Sequence, residues 1–253
     1  MADGLRRLER EAERTRNQCA SSAPSNYPAL KRQLERATTR ASRGVEGHAG
    51  ELEQQARVYR GLAHAHLDSD GGAAAVTQVC ETGFMAGHSA LIWLTAYPNA
   101  NVAMFDLFEH HATVYGEQCL RAVPALDRRL AVLKGASRDT LPLAAESGLR
   151  CDVFSVDGGH SYDDALFDLL ASRQLTHRRS VVLIDDTNCA AAWCDETNRA
   201  FEEYRARFAV NVLANYSWAG GQRGLTVFRN AHWYGSRSRS RGASWRLQRR
   251  PAT

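Results

Sequence analysis

Only two of the 253 residues are lysine, Lys31 and Lys134, so nearly all positive charge is carried by arginine. No stretch of 18 or more apolar residues occurs, which excludes an ordinary membrane-spanning helix. The opening MADGLRRLEREAERTR is charged where a secretory leader needs an apolar segment, and the expectation is a soluble, cytoplasmic protein. Six cysteines (Cys19, Cys80, Cys119, Cys151, Cys189, Cys194) occur without any C-x-x-C pair, indicating neither a zinc site nor a disulfide framework. They are expected as reduced core thiols, with Cys189 and Cys194 close enough in sequence to approach one another. Internal repeats are absent, as is the G-x-G-x-x-G fingerprint of dinucleotide binding.

What is present suits one α/β unit, since 44% apolar residues in a chain of this length can bury one sizeable core. Residues 1–68 read as helical, in three charged amphipathic stretches broken at Ser21 to Pro28, and are expected to form a cap or lid. From Val76 short apolar runs alternate with helical stretches: VTQVCE, NVAMFD, RLAVLKG, CDVFSVD and SVVLIDD, then FAVNVLANY and GLTVFRN. This pattern predicts a doubly wound, Rossmann-like, mostly parallel sheet over 69–232, with an antiparallel hairpin at one edge. Residues 233–253 carry six arginines and no acid, and without those six the formal charge of +4 becomes −2. An Arg/Ser-rich tail of this kind is expected to be disordered, and nucleic-acid contact, if any, to be confined to it.

The segment VTQVCETGFMAGHSAL places an apolar strand before a turn carrying Gly83 and Gly87, followed by helix formers. Glycine lets backbone N–H groups approach a ligand, and the helix start that follows adds its own donors. Glu81 stands where a phosphate site would not tolerate a carboxylate. It suits a ligand with a cationic end, and S-adenosylmethionine, with its ammonium and sulfonium, is the common one. Ordinary structural punctuation is the competing reading.

Ligands of such sheets bind beyond the carboxyl ends of the strands, and here an acid ends nearly every one. Asp106, 25 residues after Glu81, fits a ribose acceptor; capping the next helix is its alternative. Ser137, in KGASRDTLP, fits an adenine contact, and Ser137 and Asp139 could equally cap a proline-started helix. Asp157, Asp185 and Asp186 offer hard oxygens to Mg²⁺ or another divalent cation, with Asn188 in the same loop. His160, three residues beyond Asp157 in DGGHSYDDAL, is the candidate general base.

With these motifs assembled, the chain from about Glu51 to Asn230 resembles class I S-adenosylmethionine-dependent methyltransferases, and among them the metal-dependent O-methyltransferases of the catechol and macrolide-sugar type. The resemblance implies that Glu81, Gly83, Gly87 and Ser89 surround the methionine part of the cofactor. It places Asp106 at the ribose, Ser137 at the adenine, and Asp157, Asp185 and Asp186 on the metal, with Asp157 bordering the cofactor as well. The catechol enzyme has a lysine base where this chain has His160, and neither lysine lies near that motif. The acceptor expected is a hydroxyl on a catechol, vicinal diol or sugar. Two competing readings are a metal-independent transferase acting on an anionic substrate or RNA, and a non-catalytic cofactor-binding scaffold. A homodimer is conceivable from the charged leading helices.

Overall fold

A computed structural model describes residues 2–21, 27–39, 53–67 and 71–231. The expected tail at 233–253 lies outside these residues. Five parallel strands run inward from one edge of a seven-stranded sheet: β1 (Gln78–Thr82), β2 (Asn101–Asp106), β3 (Leu130–Lys134), β4 (Cys151–Val156) and β5 (Thr176–Asp185). β6 (Val210–Trp218) and β7 (Arg223–Asn230) complete the order β3-β2-β1-β4-β5-β7-β6, with β7 antiparallel to both neighbours. This is the mostly parallel, doubly wound sheet with an antiparallel edge that the alternating pattern predicts.

Strand residues alternate between two cores, as a period of two requires. Val79, Val102, Met104, Val153, Val181 and Leu183 face one side; Cys80, Ala103, Phe105, Phe154, Val182 and Ile184 face the other. The second face is covered by α8 (Ser137–Glu146), α9 (Tyr162–Leu175) and α10 (Asp195–Arg207). On the first lie α4 (Gly72–Ala75), α5 (His88–Ala96), α6 (His111–Arg121) and α7 (Pro124–Asp127), and beyond them the leading helices α1 (Ala2–Ser21), α2 (Tyr27–Thr39) and α3 (Glu53–His66).

Every residue of α5 from His88 to Leu94 is buried, because α2 and α3 pack against the side that would otherwise face solvent. A helix apolar on all faces needs such cover. Tyr59 of α3 stacks on Trp93 of α5 with ring centroids 4.4 Å apart, and Tyr97 donates to the Tyr59 carbonyl at 2.8 Å. The leading helices therefore share one core with the sheet. Among the described residues no helix is long and apolar enough to cross a membrane.

The cysteines depart from expectation. All six are paired, as Cys19–Cys119, Cys80–Cys151 and Cys189–Cys194. The first joins α1 to α6 and the second bridges the neighbouring strands β1 and β4; partners 100 and 71 residues apart leave no spacing pattern to read. A reducing cytosol opposes such bridges, so the expectation of reduced core thiols does not hold. Helix α8 also begins earlier than a proline start implies: it opens at Ser137, and Pro142 lies inside it.

Candidate active site

The sheet order reverses between β1 and β4, the place where neighbouring chain connections leave in opposite directions and open a crevice. A cleft of about 440 Å³ lies there. Gly83, Ser89, Asp106, Ser137, Asp157 and His160 all line it. Glu81 and Gly87 do not; they stand behind its wall.

Gly83 holds φ +89° with its Cα against β4, and a Cβ there would sit 1.9 Å from the Asp157 carbonyl oxygen. No other residue permits that approach. Gly87, at φ +81°, precedes α5 with no side-chain cap, and a Cβ there would press on the Phe84 ring at 2.8 Å. Asp106, at the end of β2, does not cap a helix. Its Oδ2 accepts from the Phe84 and Met85 N–H groups at 2.7 and 3.1 Å, and its Oδ1 from Phe108 N–H at 2.6 Å. The carboxylate thus fixes the glycine turn, and a carboxylate's roughly four acceptor positions leave one for a ligand hydroxyl. Ser137 is the first residue of α8, and the preceding Ala136 provides no side-chain cap, so that helix start is open where it lines the cleft.

Glu81 is wholly buried. Trp93 Nε1 donates to its Oε2 at 3.0 Å. Burial pushes its pKa up to about 8, against the opposing hydrogen bonds of Ser89, Trp93 and Ser155. Asp157 and Asp185 keep some residue surface exposed, but their carboxyls are desolvated and hydrogen-bonded to each other. Burial raises Asp157 well above the carboxylate range, with Asp185 and Glu81 adding repulsion; burial and then Asp186 raise Asp185 to about 7. Gln55 of α3 donates to Asp185 Oδ2 at 2.9 Å and reaches Tyr59 Oη at 3.1 Å.

Asp186 turns elsewhere, at φ +50°. Its Oδ2 lies 3.6 Å from His160 Nε2, and burial raises its pKa while His160 and Arg223 oppose the rise. The His160 side chain is 55% exposed at the cleft rim. Asp157, Asp185 and Asp186 therefore do not place three oxygens within 4.8 Å of one another. Among the described residues the trio that meets this spacing is Asp186, Cys189 and Cys194.

Asp168 of α9 was not expected. It is buried in the cleft lining, raised to about 6 by burial despite hydrogen bonds from Ser137 and Thr82. Its spacing of four from Asp164, which also lines the cleft, is the sequence signal for it. Gln55 had none, being 130 residues from Asp185.

Residues 80–187 match the profile of the methyltransferase-domain family. No curated protein matches the sequence. Solved structures share the fold at low identity. An O-methyltransferase from Bacillus cereus in complex with SAH is 15% identical, with TM-score 0.61, over 82% of this chain and 92% of that one. SAH-bound methyltransferase from Podospora anserina is 16% identical, with TM-score 0.60, over 88% and 97%. A Streptomyces achromogenes O-methyltransferase involved in tomaymycin synthesis, in complex with SAM, is 16% identical, with TM-score 0.57, over 82% and 90%.

Proposed function

From residues 80–187 forming a methyltransferase domain, we propose that the chain is an S-adenosylmethionine-dependent O-methyltransferase that uses a divalent cation, Mg²⁺ or similar, to methylate a small-molecule hydroxyl. The observation that carries this reading is the cleft at the β1/β4 reversal, with a cofactor wall on one side and His160 among buried carboxylates on the other. Relatives of the same fold bound to SAM or SAH support the choice of cofactor.

The cofactor fits because Gly83 leaves room where a Cβ could not stand and Asp106 keeps an acceptor position for ribose; Glu81, neutral in the empty site, lies behind the turn, where a bound methionine ammonium would favour its ionised form. Ser137, at the open start of α8, faces the adenine side. A divalent cation fits the donor chemistry. Asp157 and Asp185 are hard oxygens whose mutual repulsion must be relieved by a proton or a cation, while the adjoining Asp186 is turned toward His160. When bound, such a cation lowers the pKa of a ligated hydroxyl; the cofactor supplies an electrophilic methyl on sulfonium.

His160 then accepts the acceptor's proton at the cleft rim. Asp186, 3.6 Å away, steadies the resulting imidazolium. The cleft walls align nucleophile and methyl, an effect that can contribute about 7–11 kcal/mol in well-oriented reactions. Catechols, vicinal diols and sugars are the acceptors this chemistry favours.

A metal-free reading, with His160 and Asp186 acting as a pair on an anionic acceptor, has its own support: Gln55 already occupies Asp185. Transfer of labelled methyl from S-adenosylmethionine to an acceptor panel, with Mg²⁺ or with EDTA, separates the two. Turnover lost in EDTA and restored by Mg²⁺ supports the metal. Unchanged turnover in EDTA overturns it and leaves the histidine pair.

A further inference from the structure

Three cysteine pairs stabilise the molecule, but only one is within reach of solvent. Cys19, Cys119, Cys80, Cys151 and Cys194 are all buried, whereas Cys189 is half-buried. Thiol exchange needs access to sulfur, so the Cys189–Cys194 bridge is the one a small thiol can open. It closes the loop directly after β5, and both sulfurs lie within 4.8 Å of an Asp186 carboxylate oxygen. His160 Nε2 stands 3.6 Å from Asp186 Oδ2.

We propose that reduction of this bridge creates a binding site for a thiophilic divalent cation of the Zn²⁺ class, held by the Cys189 and Cys194 thiolates and the Asp186 carboxylate, with the exposed His160 imidazole turning in from beside Asp186 as fourth ligand. Two thiols of a small reductant transfer two electrons and two protons to the bridge and leave as their own disulfide; the two cysteine protons go to solvent when the cation binds. The donor set is the mixed sulfur, nitrogen and oxygen set that zinc takes in tetrahedral sites, and four intervening residues lie within its usual ligand spacing. In such a site the sulfurs stand ~3.8 Å apart from bonds of ~2.3 Å.

The loop is held in place without the bridge. Asp186 and Asn188 adopt φ +50° and +57°, which folds the chain back on itself. The Thr197 hydroxyl of α10 reaches the carbonyls of both Asp186 and Cys194. Asn198 accepts from Asn188 N–H at 3.0 Å and donates to the Cys189 carbonyl at 3.0 Å. Opening the bridge therefore frees two sulfurs in a frame that already positions them. Because the site takes Asp186 and His160, filling it removes both from the acceptor side. The inference concerns cation binding and stands whether or not methyl transfer requires a metal.

The test uses the full chain, reduced by a small thiol reductant, freed of reductant without air, and titrated with Co²⁺ as an optical probe and then Zn²⁺. Alkylation and mass spectrometry report which cysteines are open, and S-adenosylhomocysteine binding reports an intact fold. The expected result is a thiolate-to-cobalt charge-transfer band at one equivalent, displaced by Zn²⁺, absent from the oxidised protein and from Cys189→Ser. Asp186→Asn should weaken Zn²⁺ binding at least as much as the roughly 10- to 100-fold that loss of an outer-shell partner costs. An all-oxygen site gives no such band, so Mg²⁺ binding at Asp157 and Asp185 cannot mimic it. The proposal is overturned if Cys189 and Cys194 are open and no band forms, if Cys189→Ser keeps the band, or if the bridge resists reduction in the folded protein.

Discussion

Replacing Glu81 with glutamine should flatten the dependence of stability on pH. Glu81 is wholly buried, and burial lifts its pKa from about 4.5 to about 8, so it remains protonated in the fold across a range where the unfolded chain has lost that proton. A carboxyl raised in the folded state contributes stability that is complete below its unfolded pKa and is lost as pH climbs through the folded one. The window runs from about pH 4.5 to about pH 8. At ~1.4 kcal/mol per pH unit the ceiling is about 5 kcal/mol. Glutamine keeps an oxygen for Trp93 Nε1 but cannot ionise. Denaturant unfolding of cofactor-free protein in EDTA, at steps from pH 5 to 8.5, should show the wild type losing several kcal/mol toward high pH and Glu81→Gln losing much less. Asp157 and Asp185 titrate in the same cluster and leave a residual slope. Parallel curves for the two proteins would refute the assignment of a buried, neutral Glu81.

Gly83→Ala should abolish S-adenosylhomocysteine binding and lower the melting temperature, because the added methyl would lie 1.9 Å from the Asp157 carbonyl oxygen; calorimetry and thermal melts read both. Asp106→Ala strips the acceptor from three backbone N–H groups, and S-adenosylhomocysteine affinity should fall about 100-fold, or about 2.7 kcal/mol, by titration calorimetry. Asp185→Ala should end turnover in the methyl-transfer assay while S-adenosylhomocysteine affinity changes less than about tenfold, since Asp185 lies outside the cofactor cleft lining. Cys19→Ser opens a bridge across 100 residues and should cost about 2–5 kcal/mol in denaturant unfolding, with alkylation of the freed Cys119 thiol reporting the lost pair.

Local rules made the sheet readable. Short apolar runs became β1 to β5, and the acids that end them stand along one edge, because the strands are parallel and share a direction. Gly83 and Gly87 were legible for the same reason: a turn needing positive φ selects glycine within a few residues. Contacts between distant segments left no such trace. The Cys80–Cys151 bridge depends on β1 and β4 becoming neighbours, which only the strand order decides. Asp186 could be placed at a strand end but not aimed, since its left-handed backbone turns it from Asp185 toward His160.

The leading helices show why site and fold cannot be separated in this chain. Three carboxyls, Glu81, Asp157 and Asp185, sit in desolvated surroundings near one another, an arrangement that repels itself when ionised. Helix α3 answers that repulsion with neutral donors and aromatic cover. Gln55 gives its amide to Asp185, Tyr59 stacks on Trp93, and Trp93 passes its indole N–H to Glu81. The same contacts that exclude water from the α5 core therefore hold two of the three carboxyls in position, and the exclusion of water is what lifts their pKa values. A helix that reads in sequence as part of a cap or lid thus sets the charge state of the carboxyls behind the cleft. The sheet alone, with its edge of acids, would present those groups to solvent and to each other without the donors that α3 brings.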